Sequence, residues 1–143
     1  MDDLDAVIAS MYDCICFEAG ERPDWKRQAE LFAPDARMVR VTDDGVFEFD
    51  ADSYRADIEA SIDSGHITSF WEAEIWRETH LFDDVAHVLS AYETRRARGG
   101  DVLNHGVNSI QLFRRNSRWW ISGMLWRREG RSVRIPDAPP SPL

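Results

Sequence analysis

The second half of the chain restricts the possible folds more than any other segment. Four long strand-like runs, at about 67–81, 85–96, 103–115 and 118–128, follow one another with almost nothing between them. Asp83-Asp84, Gly99-Gly100-Asp101 and Asn116-Ser117 separate them, and each is a cluster of turn-favouring residues. Connections this short force neighbours to lie antiparallel, so the runs form a meander. Strands of about twelve residues are about twice the usual length. They twist and coil, so the sheet should curl rather than stay flat. The open end of such a cone is a natural place for a ligand.

The first half reads as helices around one hairpin. Leu4, Ile8, Met11, Tyr12, Ile15 and Ala19 recur at three- and four-residue spacing, the stripe of an amphipathic helix. Asp2, Asp3 and Asp5 suit the positive end of its dipole, and Gly20 supplies a stop. A second, short helix is predicted from Asp24 as cap, with Trp25, Ala29 and Phe32 on one face and Pro34 ending it. Met38–Val41 and Val46–Phe49 flank Asp44-Gly45, a strong hairpin signal. Asp52 is the expected cap of a third helix that turns Tyr54, Ile58 and Ile62 inward and closes at Gly65. The fold class is therefore α+β: three helices from the first half on a strongly curved antiparallel sheet of four long strands plus a short hairpin, enclosing a pocket. Residues 1–135 form the single domain. Residues 136–143 hold Pro136, Pro139, Pro140 and Pro142 and form an extended tail that cannot enter a sheet centrally.

Composition narrows the function classes. With 43% hydrophobic and 30% charged residues, the 143-residue chain matches an ordinary globular protein. No stretch approaches the roughly 20 apolar residues of a membrane helix, and the acidic start lacks the basic segment of an export signal. A cytoplasmic location without membrane association is expected. Residues 1–94 hold 7 Lys+Arg against 23 Asp+Glu, while residues 95–143 hold 10 Arg against 3 acidic residues. That split implies either neutralisation within the fold or complementary faces between subunits. The basic residues are scattered along strands with no accompanying motif, so no nucleic-acid partner is expected. Cys14 and Cys16 diverge on a helix and are read as small thiols, not a disulfide.

Motif chemistry is sparse. His80 and His87 flank a turn without a third ligand at convincing spacing, so no metal is expected. Neither a phosphate-binding glycine loop nor a nucleophile elbow is present, and no cofactor is implied. Strand alternation sets Gly106, Asn108, Ile110 and Leu112 against His105, Val107, Ser109 and Gln111, so His105 and Asn108 face opposite ways unless a bulge intervenes. Likewise Tyr92 shares a face with Ser90, opposite His87. Adjacent Trp119 and Trp120 must also diverge, so one lines the interior and the other a second surface. An aromatic surface outside the core points to a protein interface.

Two stretches carry a family likeness. Trp25 with Leu31-Phe32-Ala33-Pro34-Asp35-Ala36-Arg37-Met38 resembles the passage from second helix to first strand in the nuclear-transport-factor-two-like superfamily. Gly106–Leu112 with Arg118–Trp126 resembles its closing hairpin. The likeness covers about residues 4–128. This superfamily holds cystatin-like cones such as SnoaL-type cyclases, ketosteroid isomerases and scytalone dehydratases, and it reports fold rather than chemistry. It implies an apolar cavity with an inward base and a hydrogen-bond donor opposite. Tyr12 stands near the place of such a donor, with Asp13 beside it; the alternative is a core tyrosine with a buried partner. The isomerases' first-strand carboxylate is missing, with Met38 and Arg40 in the strand and Asp35 before it. His105 is the remaining acid/base candidate. The expected catalytic set is thus His105, Tyr12 and Asp13, and the expected pocket set is Asn108, Tyr92, His80, Trp120 and Trp126.

The resemblance also implies a homodimer through the outer sheet face. Two functions stay open: a metal-independent acid/base enzyme of isomerase, cyclase or dehydratase type acting on an apolar substrate, or a non-catalytic ligand-binding or interaction module.

Overall fold

The computed structural model describes residues 3–140. Its elements run α1 (Asp3–Ile15), α2 (Trp25–Leu31), β1 (Phe32–Thr42), β2 (Gly45–Phe49), α3 (Ala51–Asp63), β3 (Trp71–Phe82), β4 (Val85–Arg95), β5 (Val102–Arg115) and β6 (Arg118–Arg128). The strands form one sheet in the order β2-β1-β6-β5-β4-β3. From β3 to β6 every neighbour pair is antiparallel. The sheet as a whole is mixed, however, because β1 pairs parallel with β6. A long-range parallel pairing leaves no turn in the sequence, which is why periodicity shows the hairpin and the meander but not their junction.

Local departures have identifiable causes. Helix α1 stops at Ile15 rather than Ala19, because Phe17 leaves the helix to exchange backbone hydrogen bonds of 3.0 and 2.9 Å with Phe70. Helix α2 ends at Leu31, and Phe32 is already extended, so Pro34 lies inside β1. The β1–β6 register shifts between Phe32 and Arg37, and this irregular stretch tolerates a residue with no N–H. The cap of α3 is Asp50, not Asp52. Its carboxylate accepts from Ser53 N at 2.8 Å while Ser53 Oγ accepts from Asp50 N at 3.0 Å, a reciprocal box that requires residues three apart.

The core lies where α1 and α2 cover the inner face of the sheet. Ile8, Val88, Ile110, Ile121 and Trp119 are at most 1% exposed there. Irregularities in β3 at Ile75, and between β5 and β6 at Ser122, interrupt the alternation and bend the strands. The first tail residue touches the domain, Trp76 Nε1 donating to Pro136 O at 2.9 Å, and just before it Ile135 N donates to a Glu129 carboxylate oxygen at 2.7 Å; Pro142 lies outside the described residues. Basic residues of the second half pair with acidic ones of the first, as in Arg127–Asp43 at 3.0 Å and Arg114–Asp84 at 2.9 Å. Both cysteines are free thiols. No helix among the described residues is long and apolar enough to cross a membrane.

Candidate functional site

Inward positions of the sheet run in rows across the strands. One row joins Glu72, Thr94 and Asn104; the next joins Glu74, Tyr92, Gly106 and Arg128; a third joins Ser90, Asn108, Trp126 and Arg40. At the end of the sheet where β4 and β6 finish and β3 and β5 begin, these rows are not filled by helix. They open instead into a cavity of about 270 Å³ walled by Ile15, Phe17, Tyr54, Phe70, Tyr92 and Trp126, among others. A smaller chamber of about 60 Å³ continues inward past Gln28, Met38, Asn108 and Met124. Ile15, Tyr54, Glu72 and Trp126 border both chambers.

Of the described residues, Glu72 is the one acidic residue lining either chamber. Among the described residues its carboxyl has neither a hydrogen-bond partner nor an ion pair; only its backbone is engaged, by Cys16 Sγ. Burial in the cavity pushes its pKa up to about 8. Two phenols share the cavity. Tyr54 is held edge-on by Trp126, Phe49 and Trp25 at centroid distances of 5.8, 5.9 and 6.3 Å. Tyr92 projects over Gly106, where a side chain would collide with its hydroxyl. Burial raises the pKa of both, and the nearby Glu72 charge adds to the effect. Neither hydroxyl has a hydrogen-bond partner among the described residues, so both are available to a bound molecule. Arg40 is different: it reaches Asp57 at 3.3 Å and lies over the rings of Phe47 and Phe49.

Behind the deep chamber runs a buried polar chain. Asn108 Nδ2 donates to Tyr12 Oη at 2.9 Å, and Tyr12 Oη lies 2.6 Å from Ser90 Oγ. Ser90 donates to Glu74, which Arg77 clamps through Nε and Nη2. Since Ser90 spends its proton on Glu74, Tyr12 must donate to Ser90 and accept from Asn108. Burial holds the Tyr12 phenol protonated, well above its ordinary range.

The eight residues singled out from the sequence are not brought together. Tyr92, Trp126 and Asn108 line the cavity. Tyr12 lies in the core, 5% exposed, and touches the cavity only through Asn108. Asp13 is exposed at the end of α1, in an outer groove beside Cys16. His105 faces outward as its register requires, 3.3 Å from Glu129. His80 is exposed on the outer face, where it bonds Glu78 at 2.7 Å and stacks on His87. Trp120 is on that face too, under the Arg118 guanidinium at 3.8 Å. The sequence turned Tyr54 inward and placed Arg40 in the first strand without giving either a role, and it did not single out Glu72, Arg96 or Arg128. Trp71-Glu72-Ala73-Glu74-Ile75 alternates, but with apolar residues outward and glutamates inward, the reverse of the usual assignment.

No protein-family model matches the chain, and no curated protein matches it in sequence. Solved structures do match in shape. A cystatin-like protein of unknown function from Nostoc punctiforme superposes with a TM-score of 0.67 at 13% identity, covering 90% of each chain. An NTF2-like protein of unknown function from Silicibacter pomeroyi gives 0.61 at 16% identity, over 88% of this chain and 92% of that one. A hexachlorocyclohexane dehydrochlorinase from Novosphingobium barchaimii gives 0.63 at 12% identity, over 96% and 92%. The same architecture thus serves at least one enzyme and several proteins without assigned activity. The chain therefore shares the cystatin-like, NTF2-like α+β fold of these proteins.

Proposed function

We propose that the cavity binds a small, largely apolar molecule and that Glu72 exchanges a proton with it, an isomerase-, cyclase- or dehydratase-type activity needing no metal. The observation that carries this reading is Glu72 itself: an ionisable carboxyl with no partner, at the neck between two chambers of an aromatic cavity. A structural carboxylate would have an arginine or an N–H beside it, because burying one without a partner costs stability. A group titrating near 8 suits proton transfer at neutral pH. Tyr92 and Tyr54 can donate to an oxygen on which charge develops as Glu72 removes a proton from the adjacent carbon. Asp35, expected before the first strand, lies within β1 but is exposed and lines neither chamber, and in this reading β3 supplies the base instead.

The test is α-deuteration of 1-tetralone and 1-decalone in D2O, followed by mass spectrometry. The wild-type protein is expected to accelerate exchange, and Glu72→Gln to slow it by about 10²–10⁴-fold. Binding of these ketones with no Glu72-dependent exchange would leave a ligand-binding module and remove the catalytic reading.

We also propose that a second copy of the chain covers the outer sheet face. Leu125 is 51% exposed there, in one row with Ser109 and Leu89.

A further inference from the structure

The chain is acidic overall, with 26 Asp+Glu against 17 Lys+Arg, yet the main chamber reverses that balance. Its lining includes Arg40, Arg96, Arg128 and His66, against the single acid Glu72. The chamber lining thus carries more cationic than anionic groups, although Arg40 is paired with Asp57.

The arginines' own contacts sharpen this. Almost every guanidinium in the described residues is engaged: by a carboxylate, as in Arg22, Arg37, Arg77, Arg95, Arg114 and Arg127; by an aromatic ring, as in Arg55 and Arg98; or by a hydroxyl or carbonyl, as in Arg27 and Arg134. Arg96 and Arg128 are the exceptions. Neither side chain has a hydrogen bond, ion pair or ring contact among the described residues, and both line the chamber. Both reach the same chamber from different levels of the sheet: Arg128, the last residue of β6, lies in the row of Gly106 and Tyr92, and Arg96, just past the end of β4, stands four residues beyond Tyr92. Both side chains are exposed at the rim, whereas Tyr54, Tyr92 and Trp126 form the walls further in. Arg128 is also close enough to Tyr92 for its charge to act on the phenol.

We infer that the ligand is a compact organic acid, its apolar body inside the chamber and its carboxylate at the mouth on Arg96 and Arg128. This rests on the reading of the cavity as a small-molecule site and names the class of molecule it takes. Arginine pairs carboxylates through two parallel N–H···O bonds, and two unengaged guanidiniums at a rim can close on one anion without breaking any existing contact. The carboxylate stays near solvent, where its desolvation is least costly. The apolar body replaces water against Ile15, Phe17 and Trp126. A chamber of about 270 Å³ falls at the small end of ligand pockets, which suits a molecule of one or two rings.

The experiment compares 4-phenylbutyrate and 2-naphthylacetate with their neutral primary amides, by calorimetry and by quenching of tryptophan fluorescence. The wild-type protein should bind each acid at least tenfold more tightly than its amide, and the preference should shrink as salt is raised. In the double variant Arg96→Gln/Arg128→Gln the acids should fall to the affinity of the amides, while the amides bind as before. Arg115→Gln, remote from the cavity, serves as a control for loss of charge and should leave the preference unchanged. If acid and amide bind the wild type equally, or the preference survives in the double variant, the carboxylate assignment is wrong and the pocket reading stands. If neither acid nor amide binds, both are wrong.

Discussion

Gly106 and Tyr92 face each other across β5 and β4, and the missing side chain of the first is the space occupied by the second. A Cβ at Gly106 would lie 2.3 Å from the Tyr92 hydroxyl and 2.7 Å from the carbonyl oxygen of Arg127. The tyrosine could swing away, but the carbonyl belongs to a paired strand and cannot. Gly106→Ala should therefore destabilise the fold by about 1–3 kcal/mol, the usual cost of overpacking. It should also weaken binding in the cavity, since Tyr92 would have to turn into it. Tyr92→Phe separates the two effects: it keeps the packing and removes only the hydroxyl. Urea melts and ligand titrations on the pair check this. An unchanged midpoint for Gly106→Ala would show that the strand yields where the geometry says it cannot.

Glu72 makes stability depend on pH in an unusual direction for a carboxyl. Its folded pKa, about 8, lies above the ordinary carboxylate range near 4.3, so the folded state holds the proton more tightly than the unfolded chain does. The stabilisation from protonation is complete below about pH 4.3 and is lost as pH rises through 8. Glu72→Gln has no proton to lose. The melting temperature of the wild type minus that of the variant should therefore fall steadily from pH 5 to pH 9, with the variant the more stable at the upper end. A flat difference would place the carboxylate in water. Under the proposed chemistry, exchange by the wild type rises over the same interval, because only the ionised form accepts a proton.

Tyr12 should behave as a structural residue. Its hydroxyl joins Asn108 to Ser90 and, through Ser90, to Glu74. Tyr12→Phe leaves a buried amide N–H without its acceptor and Ser90 without its donor, at an expected cost of about 1–3 kcal/mol. Proton exchange at the cavity should continue, reduced only as far as Asn108 loses its orientation. Thermal denaturation read beside the deuteration rate distinguishes the roles: loss of exchange with no loss of stability would return Tyr12 to the catalytic group.

The fold was legible in the sequence wherever it is local. Asp44-Gly45 and Asn116-Ser117 mark real turns, and Asn116 and Ser117 adopt the positive φ angles that tight hairpins require. The β1–β6 pairing was not legible, because residues almost ninety apart meet with no turn between them. The site divides in the same way. Tyr92, Trp126 and Asn108 share faces with recognisably apolar neighbours, so alternation leads to them. Glu72 sits in a strand whose apolar residues Ala73 and Ile75 are exposed and whose glutamates turn inward. A hydrophobic pattern read outward-polar assigns that carboxylate to solvent, and only the register with Thr94 places it in the cavity. His105 drew interest as a chemical type, but its parity with Val107 and Ser109 puts it on the other face.

The outer face yields the last prediction. Leu125 is 51% exposed on a central strand, and Leu89 and Val107 lie near it, half-buried. The row Val39–Leu125–Ser109–Leu89 crosses four paired strands and forms an apolar band interrupted at Ser109, which bonds His87. Such a band on a central part of a sheet is a surface that association would remove from water. A twofold arrangement would set the band of one copy against that of the other. Light scattering coupled to size exclusion should give a dimer at micromolar concentration. Leu125→Asp puts two like charges at the centre of that contact and should yield a folded monomer, with unchanged circular dichroism and intact ligand binding, since the cavity opens on the opposite face. A monomeric wild type, or a Leu125→Asp variant that stays dimeric, would assign the band to some other partner.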